Sequence, residues 1–119
     1  MARYLISFDR GWMTFPEEDL PAVAEAGRVV VQEAEHAGVF VFAGGIGDEE
    51  QTTLVAIDGT VTDGPYPEAK EMVGGFTVVD VPARADAVAW AAKFAVACRC
   101  AQEVRQFIFD PSTDERLVR

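Results

Sequence analysis

Histidine occurs once in this chain, cysteine twice, and basic side chains only ten times against twenty acidic ones. Each shortage excludes a class of function. A formal net charge of −10 repels a phosphate backbone, and no Lys/Arg cluster offsets it locally, so neither nucleic acid nor an anionic membrane is an expected partner. No run approaches the roughly 18 continuous apolar residues of a membrane-spanning helix. The opening MARYLISFDRGW lacks both the apolar core and the cleavage site of a secretory leader, which makes the cytoplasm, with reduced thiols, the expected location. His36, Cys98 and Cys100 do not form a zinc-like ligand set, so no metal and no other cofactor is expected.

What is present suits one compact unit. With 119 residues, half of them hydrophobic, residues 1–119 are expected to form a single domain. ARYLISF (2–8) has the β-favouring residues of a first strand. Thr14 and Glu17 have the spacing of a capping box, and the apolar recurrence from Leu20 through Val23, Val30 and Ala34 predicts one amphipathic helix that stops at Gly38. VFVFAGG (39–45), TTLVAIDGTVT (52–62) and GFTVVDV (75–81) read as strands, the second with a tight turn or bulge at Asp58-Gly59. A second helix is expected over 84–97, with Val88, Ala91 or Ala92, and Ala95 on its apolar side, and a last strand over 103–109.

This order predicts an α+β, ferredoxin-like βαββαβ fold, an antiparallel sheet with both helices on one face. The strands are apolar on both parities. Phe40 and Phe42 are expected to oppose Val39 and Val41, and Phe107 and Phe109 to oppose Val104 and Ile108, so the second face also needs cover. Exposing such aromatics costs about 1.5–3 kcal/mol each, and the simplest cover is a second copy of the sheet. A homodimer with sheets face to face follows as the expectation, with a chamber beside each sheet.

Residues 61–82, VTDGPYPEAKEMVGGFTVVDVP, closely resemble the signature of the DGPF or YCII-related family, at Asp63, Gly64, Pro65, Glu68, Lys70, Glu71, Gly74, Gly75 and Phe76, with Tyr66 in place of phenylalanine. Asp-Val-Pro at 80–82, Trp90-Ala91-Ala92 and Glu103-Val104-Arg105 extend the similarity. The resemblance implies a dimeric α+β barrel. It also implies kinship with a superfamily that includes lactone isomerases and dehalogenases, and with a branch that accompanies extracytoplasmic-function sigma factors. The His/Asp pair proposed for YCII proteins, with its histidine early in the first helix, has no counterpart in PAVAEAGRVV (21–30); His36 lies at the far end, where it suits the helix dipole.

Asp63-Gly64-Pro65 has a structural reading as a turn and a functional one in which a partly desolvated Asp63 transfers protons. Lys70, one of few cations in an acidic chain, then pairs with Asp63 or binds a substrate anion; Glu68 and Glu71 also read as solvated charges. Tyr66 and Trp12 are candidate pocket walls beside Tyr4 and Phe107. Arg105, if buried, needs a partner such as Glu103, Asp80 or a bound anion. Gly74-Gly75 suits a bulge or the close approach of a ligand, and neither it nor FAGGIGDEE (42–50) is a phosphate loop. Two functional expectations follow. One is a small organic ligand with cofactor-independent isomerase- or lyase-type chemistry, in which Asp63 and Lys70 are catalytic and Tyr66, Glu68, Trp12 and Arg105 contact substrate. The other is a non-catalytic module that partners a transcription factor. A haem enzyme finds no suitably placed histidine.

Overall fold

A computed structural model describes residues 1–47, 52–63 and 73–112. Among these residues, six strands and two helices follow in the order β1 (Ala2–Asp9), α1 (Leu20–His36), β2 (Phe40–Gly45), β3 (Thr53–Val55), β4 (Val61–Asp63), β5 (Val73–Val81), α2 (Arg84–Cys98) and β6 (Glu103–Gln106). Four of the strands form one sheet in the order β2-β5-β1-β6, with antiparallel pairing throughout. This is the ferredoxin-like order, with β3 and β4 inserted as a separate two-stranded ribbon.

Strand parity decides which side chains form the core. Tyr4 and Ile6 of β1 stand opposite Val79 and Thr77 of β5 on the helix side, where Tyr4, Ile6, Val79 and Val81 pack against Val30, Ala87, Ala91 and Phe94. The buried side of α2 is therefore Ala87, Ala91, Phe94 and Ala97, not the Val88 row expected from the sequence. The small alanines let α2 lie close to the sheet, and Phe94 is the one bulky group it sends inward. Lys93 to Glu33, at 2.7 Å, links the two helices at their exposed edge.

Several local expectations change. The Thr14–Glu17 capping box does not form: Glu17–Asp19 is a short 3-10 turn preceded by Pro16, and α1 begins at Leu20 with a proline in its first turn. Proline lacks the amide that an N-cap side chain would satisfy, so the helix can start without one. At its other end the chain leaves α1 through Gly38 at φ +74°, as expected. The predicted strand 52–62 is two strands joined at Asp58-Gly59. Gly59 adopts φ +89°, and Asp58 Oδ1 accepts from the Thr60 amide at 2.9 Å. β6 ends at Gln106, earlier than expected; the Phe107 amide still donates to the Arg3 carbonyl at 2.9 Å. Cys98 closes α2, and Cys100 follows Arg99, whose φ of 57° ends the helix.

A register shift between Phe40 and Phe42 separates two rings that simple alternation places together. Phe40 stands opposite Val79 on the helix side. Phe42, opposite Val78, reaches the other face, where its ring meets Phe76 at 5.7 Å.

Candidate functional site

The sheet's helix side widens at the end where β2, β5 and β1 carry their glycines and Phe8. Gly74 and Gly75 have no side chain because Phe8 occupies that space: a Cβ on Gly74 would lie 2.8 Å from the Phe8 ring, and one on Gly75 2.9 Å. α1 spans a cavity of about 540 Å³ that Gly44, Gly45, Gly74 and Gly75 line on the sheet side. Val23, Gly27 and Val31 form its helix wall; Phe8, Phe40 and Thr77 form its sheet wall; Phe94 and Cys98 of α2 close it behind. The polar groups on this surface are few. Thr77 is buried, Gln102 donates weakly to Cys100 Sγ at 3.7 Å, and Arg28 is held by Glu25 at 2.8 Å. A largely apolar cleft with a few polar handles is a usual form of a small-molecule site.

Cys98 lines this cavity as a neutral thiol. Burial, assisted by the neighbouring Cys100, pushes it up to about 11, so it is packing at neutral pH and not an activated nucleophile. Burial also raises Cys100, and both cysteines are free. Among the described residues, no three His, Cys, Asp or Glu side chains converge as metal ligands, and no helix is long and apolar enough to cross a membrane.

The opposite sheet face carries a second, smaller cavity of about 340 Å³. Its base is the Arg3–Asp80 pair, with Nε to Oδ1 at 2.8 Å and Nη2 to Oδ2 at 2.7 Å, and Phe107 and Phe109 form its rim. This fork is the bidentate geometry that guanidinium and carboxylate prefer. Arg105 lies on the same face but is exposed, and it donates to Ser7 Oγ at 3.2 Å instead of pairing with Glu103 or Asp80.

The structure separates the sequence-derived candidates. Asp63 ends β4 opposite Thr53, at the base of the ribbon. Tyr66, Glu68 and Lys70 lie outside the described residues. Trp12, in a 3-10 turn after β1, borders neither cavity, and Tyr4 belongs to the core. The motif does reach the larger cavity, because its closing Gly74, Gly75 and Phe76 line the wall. Sequence reasoning missed α1 as the opposite wall; the signal was Gly27, which interrupts a helix where a larger residue would fill the space.

A family model for the YCII-related domain matches residues 17–107. The chain belongs to the YCII-related family, as its Asp63 to Phe76 stretch indicates. No curated protein matches it.

Proposed function

We propose that this YCII-related protein is a cytoplasmic homodimer that binds a small, mostly apolar organic molecule between α1 and the sheet. The observation that carries the binding reading is the cavity itself, about 540 Å³ and walled by the glycine pair that ends the family motif. Apolar walls and the few polar groups of Thr77, Gln102 and Arg28 suit a compact hydrocarbon or aromatic body with one or two hydrogen-bonding groups. Dimerisation is supported by the uncovered face, where Phe42 is 57% and Phe107 43% exposed. Isologous pairing of two such faces removes both from water.

In this reading the motif supplies cofactor-independent proton-transfer chemistry of the isomerase or lyase type. Asp63 moves the proton, Lys70 balances charge or holds a substrate anion, and Tyr66 and Glu68 contact the substrate beside them. Trp12 and Arg105 are not placed at this cavity, and they take no part in the proposal.

Native mass spectrometry of the purified protein, followed by thermal-shift screening of small apolar acids and amides, tests the reading. Binding that raises the melting temperature and is lost in Gly27→Leu supports the cavity. For the chemistry, Asp63→Asn is expected to abolish turnover of a ligand so found while keeping its binding. Binding that survives Gly27→Leu unchanged would refute the assignment. A specific transcription-factor complex that Asp63→Asn leaves intact, without ligand binding, favours the interaction-module alternative.

A further inference from the structure

Of the described side chains that line the cavity beneath α1, Arg28 alone carries a charge. The chain has twenty acidic side chains against ten basic ones, yet no described Asp or Glu borders this space. An acidic chain repels anions over most of its surface, so a cation on an otherwise apolar wall makes this wall locally receptive to one.

Arg28 is only partly committed to its neighbour. Glu25, three positions earlier on α1, accepts both of its contacts on a single oxygen, from Nε at 3.1 Å and from Nη2 at 2.8 Å. Nη1 makes no hydrogen bond. Both side chains of the pair are 63% exposed, and an ion pair so open to water contributes at most about 1 kcal/mol. A ligand can therefore share Arg28 with Glu25, or displace Glu25, at little cost.

The second observation lies on the opposite wall. Thr77 of β5 is 6% exposed, and its register opposite Ile6 and Ala43 puts its side chain on the helix side of the sheet. Its hydroxyl has no hydrogen-bond partner, although no fully enclosed side-chain oxygen or nitrogen among the described residues lacks one. The hydroxyl therefore keeps contact with open space, and the space that Thr77 borders is the cavity. Polar groups this deep are ordinarily satisfied, and here the partner has to come from what enters the cavity.

The charge of the occupant follows from the same inventory. One guanidinium balances one negative charge, and its planar edge matches a carboxylate. A phosphate dianion would bring a second charge that no described lining residue can pair, and an amine would meet Arg28 as a like charge. We infer that the cavity takes an apolar monocarboxylic acid in its ionised form, with Arg28 on the carboxylate at the exposed side and the Thr77 hydroxyl on a polar atom of the buried body. This inference rests on the small-molecule reading of the preceding section and narrows it to one ligand charge.

Isothermal titration calorimetry of the full chain at pH 7 tests it with three acids, phenylacetate, 4-hydroxyphenylacetate and octanoate, each against its own primary amide. The acids are expected to bind about tenfold more tightly than the amides. Arg28→Gln brings each acid and its amide to within about twofold of each other. Glu25→Gln, which frees the guanidinium, widens the preference by about threefold. Thr77→Val weakens 4-hydroxyphenylacetate more than phenylacetate. Far-ultraviolet circular dichroism checks that each variant is folded, and Gly27→Leu, which fills the cavity, should remove binding of every probe. Amides that match their acids, with both lost in Gly27→Leu, overturn the anion assignment and spare the cavity. A preference for acids that persists in Arg28→Gln assigns the carboxylate to another cation and overturns it as well, as does acid binding that Gly27→Leu leaves intact. If none of the six probes binds, the small-molecule reading falls and this inference with it.

Discussion

Phe8 lies across Gly74 so closely that a methyl group on the glycine would stand 2.8 Å from its ring, and the same methyl would stand 2.9 Å from the Arg10 Cα. The ring can rotate away, but the backbone of Arg10 cannot. Gly74→Ala is therefore expected to cost about 2–3 kcal/mol, near the upper end of ordinary overpacking. Gly75→Ala meets the Phe8 ring at 2.9 Å and the Gly44 carbonyl at 3.2 Å, and a somewhat smaller loss is expected. Gly44→Ala meets only the Phe42 ring at 3.7 Å, an ordinary contact, and serves as the control. Urea unfolding midpoints should fall in that order, with Gly44→Ala near the natural protein. An unchanged midpoint for Gly74→Ala would contradict the packing account.

Arg3 and Asp80 are 77 positions apart in sequence and joined by two short hydrogen bonds across β1 and β5. The Arg3 side chain is 8% exposed and that of Asp80 23%, so neither charge is well solvated. Removing Arg3 takes both of these hydrogen bonds from the Asp80 carboxylate, and removing Asp80 takes them from the guanidinium. Arg3→Met or Asp80→Leu alone is expected to destabilise by about 2–4 kcal/mol, and the double variant by less than the sum, because the fork is lost only once. A double-mutant cycle by chemical denaturation measures the coupling. Additive losses would show that the pair contributes no interaction of its own.

These two relationships differ in how far they could be read from sequence. The order of elements, the ferredoxin-like sheet and the family stretch were legible because strand alternation, helix spacing and the Asp63 to Phe76 signature are local patterns. Phe40 and Phe42 were not, since one register shift sends alternate rings to opposite faces and no residue in VFVF announces it. The cap at Thr14 failed for a different reason: Pro16 and Pro21 favour a 3-10 turn and a later helix start over the bond that the spacing suggests. Arg3–Asp80 depends on pairing β1 with β5, which local pattern does not specify. The candidate site was legible in part. Gly74-Gly75 was recognised as a place of close approach, whereas the cavity's other wall comes from α1, about fifty positions earlier in the chain.

The neutral state of Cys98 has a pH signature. Its folded-state value of about 11 exceeds the ordinary 9.0, so above pH 9 the folded protein holds a proton that the unfolded chain releases. The stabilising contribution of this thiol is present below pH 9 and is lost as the pH rises through 11. Cys98→Ala removes that part of the alkaline decline, which is visible as a flatter stability profile between pH 9 and 11. Alkylation gives a second reading. At pH 8 the thiolate fraction of Cys98 is roughly a hundredfold below that of an ordinary thiol, and labelling should be slower by a similar factor. Rapid labelling of Cys98 in the folded state would place the thiol in water and not in the cavity wall.

Gly27 offers the sharpest test of the space beneath α1. It sits inside the helix, where glycine costs about 0.5–1 kcal/mol relative to alanine, yet a Cβ added there meets nothing within 4 Å. Packing therefore does not require the glycine, and Gly27→Ala should stabilise the protein by about that amount, raising Tm by about 2–5 °C in a domain of this size. Gly27→Leu sends a larger side chain into the same opening. The fold should tolerate it, because the volume is already empty, while the space left for a ligand shrinks. Calorimetry separates the two effects, since the alanine variant gains Tm and the leucine variant keeps a cooperative transition but no longer gains from ligand. If Gly27→Ala were instead destabilised, the gap between α1 and the sheet would have to close in solution, and the binding site with it.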